Sequence, residues 1–100
     1  MKVIKEVSVP KYIFDTTKIG EGDAIVIRDS QQRMLQLKYG EIKSDNLKLG
    51  GIKIICLVHD VKDRDITVID ANCNLLHFYA DEFIDELDLE IVVKQEIYHL

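Results

Sequence analysis

Residues 52–79, IKIICLVHDVKDRDITVIDANCNLLHFY, constrain this chain more than any other stretch. Three apolar runs rich in Val, Ile and Leu are separated by two short polar segments, DVKDRD and ANCN. Runs of this length and composition, bounded by Asp and Asn, are strands joined by turns. The stretch therefore spells an antiparallel β-meander, with strands over residues 52–59, 66–70 and 75–80 and turns over 60–65 and 71–74. The first run is almost continuously apolar, which predicts a strand buried on both faces or lying at a barrel seam. In the second turn, Asn72 and Asn74 suit a left-handed backbone.

The same reasoning extends to the flanks. Residues 1–9 alternate imperfectly, with Val3, Val7 and Val9 on one face, and Pro10 ends the run or marks an edge. Asp15, Thr16 and Thr17 are suited to cap a turn. GEGD at 20–23 is a turn signal, and AIVIR at 24–28 is a strand. A polar connection at 29–33 leads into MLQLKY at 34–39, which the alternation of Leu35, Leu37 and Tyr39 predicts to be a returning strand. The longest irregular stretch, residues 40–51, carries Ile42, Leu47 and Leu49 and is expected to fold back onto the body. DEFIDE at 81–86 reads as one helical turn with acidic residues where the helix dipole favours them. Residues 87–94 alternate again, with Leu87, Leu89, Ile91 and Val93 opposed to Asp88, Glu90 and Lys94.

Six or seven short strands in 100 residues imply an antiparallel sheet that must curl or pack on a second sheet. The run GEGDAIVIRD, followed by a hairpin, a meander, a short helical turn and a last alternating strand, resembles an SH3-like barrel over residues 19–94. The expected fold is thus all-β: a small SH3-like or related β-barrel with one helical turn near 81–86. One domain covers 1–100, with an N-terminal strand and connector at 1–18, a barrel core at 19–94 and a tail at 95–100.

Charge and cysteine content narrow the function classes. Residues 1–80 carry 12 Lys and Arg against 11 Asp and Glu, whereas residues 81–100 carry one against seven. An acidic chain is a poor candidate for wrapping a phosphate backbone. The acidic end reads as a solvated face or a blunted strand edge, and nothing in it matches a calcium loop. No apolar window approaches the length of a membrane span. The N-terminus lacks the apolar core of a signal peptide, so the expected residence is cytoplasmic. Two cysteines 17 positions apart do not form a secreted disulfide framework.

Cys56, His59, Cys73 and His77 have the residue types of a zinc site. Strand geometry sets Cys56 and His59 on opposite faces and separates Cys73 from His77 by about 13 Å. Metal binding through these four is therefore the weaker alternative; the reading assigns no metal, no cofactor and no catalytic residue. The glycine pairs match neither phosphate-loop pattern.

One local basic concentration stands out: Lys38, Lys43, Lys48 and Lys53, with Tyr39 beside them. It is the candidate binding surface. The chain is expected to be a non-catalytic protein-binding or adaptor module with an unknown protein partner. The strand at 87–94 is a candidate edge for self-association or for a peptide added by β-augmentation. A nucleic-acid-associated accessory protein using the Lys38 to Lys53 loop is the alternative.

Overall fold

A computed structural model of the chain describes residues 2–8, 11–31, 33–39 and 52–95. Its strands are β1 (Ile4–Ser8), β2 (Lys11–Phe14), β3 (Ala24–Asp29), β4 (Ile52–Val61), β5 (Asp65–Asp70), β6 (Leu75–Tyr79) and β7 (Leu87–Val93). Two short helices, α1 (Arg33–Tyr39) and α2 (Glu82–Asp85), complete the described elements.

The meander forms as the turn chemistry demands. β4, β5 and β6 pair antiparallel in succession, and β3 and β7 extend the sheet in the order β6-β5-β4-β3-β7. β1 and β2 form a separate antiparallel hairpin. The chain is thus mostly antiparallel β. Among the described residues the five-stranded sheet ends at β6 and β7, and no closed barrel forms.

One face of the sheet is covered. Ile25 and Ile27 of β3, Cys56 and Val58 of β4, Ile66 and Val68 of β5, and Leu76 and Phe78 of β6 are buried there. They share the core with Val3 and Phe14 from the hairpin, Ile19, and Leu35 from α1. Phe83 of α2 meets the rings of Phe14 and Phe78 at 5.8 and 5.7 Å between centroids. A backbone bond ties the hairpin to the sheet, the Phe14 N–H donating to Asp63 O (2.6 Å), and the Ala80 N–H extends the β5-β6 ladder to Arg64 O (2.9 Å).

The returning strand expected at 34–39 is instead helix α1, and β3 pairs with β4. In a strand, Leu35 and Leu37 would share a face. Here Leu35 is fully buried and Leu37 is 76% exposed, which is the helical arrangement. Asp29 is the cause. Its buried carboxylate accepts the Leu35 N–H at 3.1 Å, giving a first-turn donor of α1 a partner, and the Gln31 N–H of the preceding turn at 2.9 Å. The composition agrees: Arg, Met, Leu, Gln and Lys are strong helix formers, and the segment has no β-branched residue.

Three smaller expectations are also corrected. β4 is buried on one face only, since Ile55 and Leu57 are 61% and 53% exposed. Val7 does not share the fate of buried Val3, because a register shift between Glu6 and Ser8 interrupts the alternation. The left-handed residue of the 71–74 turn is Cys73 (φ 67°), not Asn72 or Asn74. Asp70 explains this: its carboxylate accepts the backbone N–H groups of both asparagines, at 2.9 and 2.8 Å, and so fixes them around the residue between. The loop at 40–51 and the residues Val9 and Pro10 lie outside the described residues.

Candidate functional site

The cysteines and histidines do not converge. Cys56 is buried on the covered face, and burial, with Asp70 nearby, pushes its thiol up to about 12. Cys73 is exposed in its turn, and His59 and His77 are exposed on their strands. His77 Nδ1 lies 3.2 Å from Thr67 Oγ1, and its ring meets Tyr79 edge-on at 5.1 Å. Among the described residues, no group of three or more His, Cys, Asp or Glu side chains could hold a metal ion.

The basic set separates too. Lys38 lies over the Phe78 ring (5.2 Å) and reaches Glu82 at 3.3 Å, beside the end of β6. Lys53 is exposed on β4, opposite Arg28. Tyr39 is the last residue of α1, and Lys43 and Lys48 fall outside the described residues. The acidic residues are mostly engaged. Glu82 holds Lys38 and accepts the Tyr79 N–H (3.2 Å), and Asp81 faces Arg64 at 4.0 Å. Asp88 and Glu90 share Arg28, at 3.8 and 2.8 Å.

A cavity of about 570 Å³ adjoins buried Asp23, whose carboxylate accepts the N–H groups of Gly20 (2.8 Å) and Gln95 (2.9 Å) and meets Lys94 Nζ at 3.0 Å. Burial pushes this carboxyl up, but the Gln95 and Gly20 N–H groups and the Lys94 ammonium outweigh it and hold it below the ordinary range. Gly22 completes the clamp: its φ is +88°, and the Gln95 side chain occupies the place a Cβ would take. The clamp fastens the end of β7 to the turn before β3. Both oxygens of the Asp23 carboxylate are partnered, so it reads as a fastening.

Among the described residues, two surfaces stand open. The first is the uncovered face of the sheet. Pairing aligns Val93, Ala24, Leu57, Ile69 and Leu75 in one row across all five strands. Val93 and Leu75 are 60% and 62% exposed, and Ile55 and Val92 extend the patch. Ala24 and Ile69 are partly buried within the row, while the five exposed side chains, Val93, Val92, Leu57, Ile55 and Leu75, together show on the order of 500 Å² to water, near the top of what monomers carry. Arg28, Lys53, Asp88 and Glu90 gather at one end of this face.

The second is a groove of about 870 Å³ between β1 and β7. Residues 2–6 and 88–90 line it in unbroken succession, with Tyr12, Phe83 and Ile84. Successive strand residues point to opposite faces, so a groove touched by several in a row faces the strand's edge. Among the described residues both edges lack a strand partner: β1 pairs with β2 alone, and β7 with β3 alone. Sequence reasoning found the β7 edge but not the β1 wall, which only the fold brings opposite it. Tyr12 leans on Glu6 within this groove, and that charge, with partial burial, pushes its phenol up.

Compared with known proteins, the chain matches no family model, no curated protein and no solved structure.

Proposed function

We propose that this chain is a non-catalytic protein-binding module that self-associates through the open face of its five-stranded sheet. The observation that carries the reading is the apolar row from Val93 to Leu75. Water against such a row is a standing free-energy penalty that a second sheet removes, as in face-to-face packing at about 10 Å. A stable interface needs about 800 Å² per partner, so the apolar patch must be joined by its rim. The rim carries both signs, Arg28 and Lys53 beside Asp88 and Glu90, and so brings no net charge to the interface. A two-fold axis running along the strands sets the row against itself, with Leu57 against the second copy's Leu57.

We read the body as an incompletely closed relative of SH3-like barrels, supported by the β4-β5-β6 meander and the helical turn before β7. Small barrels of this kind host binding functions on many surfaces, so the likeness supports a binding module without choosing the ligand. Two unpaired cysteines fit residence in the reducing cytoplasm.

Light scattering from micromolar to millimolar protein tests the reading. The wild-type chain should reach the mass of a dimer. Leu57→Lys should stay monomeric, with the circular dichroism and thermal midpoint of a folded chain. A wild-type chain that remains monomeric at millimolar concentration overturns it.

A further inference from the structure

We propose that the groove between β1 and β7 receives an extended peptide segment, which adds as a new strand to the edge of β7. This site adjoins the rim of the open sheet face, sharing Asp88 and Glu90 with it, and does not depend on self-association there.

The occupant follows from what the groove presents. An unpaired strand edge offers N–H and C=O groups in a regular row, and another extended backbone is the partner that satisfies such a row. Here two such edges, residues 2–6 and 88–90, line the same groove. A strand laid on β7 fills the space between two sheets that otherwise remain apart.

Side-chain chemistry narrows the sequence. The floor is apolar: Val3 is buried, and Leu89 and Phe83 pack half-buried against the core. Alternate residues of the segment must therefore be apolar and point down. The residues between them point outward, near Asp88 and Glu90 on one wall and Lys2, Lys5 and Glu6 on the other. Asp88 and Glu90 are already drawn to Arg28. The walls carry both signs, so a charge on the segment gains at one wall what it loses at the other. Uncharged polar residues suit these outward positions.

A second copy of β7 paired about Leu89 is a poor occupant. An antiparallel pairing centred on Leu89 places Asp88 opposite Glu90 of the second copy, and like charges directly opposite destabilise a sheet. The apolar floor and the mixed-sign walls favour an apolar-alternating, uncharged segment over that pairing.

Titration of the whole chain into a fluorescent seven-residue peptide alternating valine and serine tests this. Saturable anisotropy is expected, with amide shift changes confined to residues 2–6, 88–90 and their neighbours. N-methylation of alternate peptide residues, in one of its two phases, should weaken binding by about tenfold or more, because it deletes the hydrogen bonds to β7 (1.4 kcal/mol per tenfold). Leu89→Asp should weaken it comparably, while Ile55→Glu on the open face should leave it unchanged. The N-methylated peptides keep the test valid where Leu89→Asp fails to fold. Absence of binding at millimolar peptide, indifference to N-methylation in both phases, or collapse of binding on added salt each overturns the proposal. So does a protein dimer that survives Ile55→Glu and is lost with Leu89→Asp, since that gives the edge to a second copy.

Discussion

The two faces of the five-stranded sheet are built from nearly the same residues and meet opposite fates. On β4 alone, Cys56 and Val58 are buried while Ile55 and Leu57, one step away, stand in water. The difference lies in what covers each side. The β1-β2 hairpin, α1 and α2 supply Val3, Phe14, Leu35 and Phe83 to one face, and no described element does so for the other. Apolar content alone therefore did not decide burial; the placement of the flanking elements did.

The most forceful way to break this comparison is to truncate one side chain on each face. Phe78→Ala, on the covered face, should lower stability by about 3–5 kcal/mol through lost transfer energy and a cavity. Ile55→Thr, on the open face, should change dilute-solution stability by less than about 0.5 kcal/mol. Urea unfolding of both variants measures this, and similar losses would mean that the open face is covered in solution.

The two cysteines sharpen the same contrast. Cys56, with its thiol pushed up to about 12, should react with a thiol reagent only as the chain unfolds. Exposed Cys73 should react at once, so native protein at pH 8 should show a fast phase of one thiol per chain. Two fast thiols would place Cys56 within reach of solvent.

Acid probes the clamp at the sheet's end. The Asp23 carboxyl is held below its ordinary value in the folded chain, so the unfolded chain takes up this proton first. Its contribution is fully present above the unfolded value and is lost as pH falls through the folded one, below about pH 4. Asp23→Asn should therefore flatten the acid limb of stability, read as urea midpoints from pH 3 to pH 6. An unchanged slope would remove Asp23 from the account.

The smallest effect is expected at the turn. Cys73→Gly relieves a left-handed residue that has a Cβ, at some loss of unfolded-chain restraint, and should stabilise by about 0.5–1 kcal/mol. Thermal midpoints of the two chains would show it. A loss would mean that the side chain is anchored.

Much of the fold was legible because it is local. The strands at 24–28, 66–70 and 75–80 and the helical turn before 87 are written in runs of β-branched and apolar residues between turn signals. The 34–39 segment misled because Leu35, Leu37 and Tyr39 alternate as a strand would, while its helix-forming composition pointed the other way. Asp29 settled the matter from outside the segment. The candidate sites were less legible still. The lysines grouped by sequence lie on different elements, and the groove needs residues 2–6 beside residues 88–90.

By itself, then, the sequence determined a mostly antiparallel β protein centred on the 52–79 meander, with Cys56 and His59 on opposite sides of one strand. Side-chain period and turn chemistry act between near neighbours, and that suffices for both conclusions. Only the tertiary structure decided which face of the sheet is covered, that residues 33–39 are helical, and that β1 and β7 line one groove with edges that no described strand pairs. Each depends on contacts between residues far apart in the chain, such as the Asp29 carboxylate and the Leu35 N–H or the hairpin and β7, which no local pattern encodes.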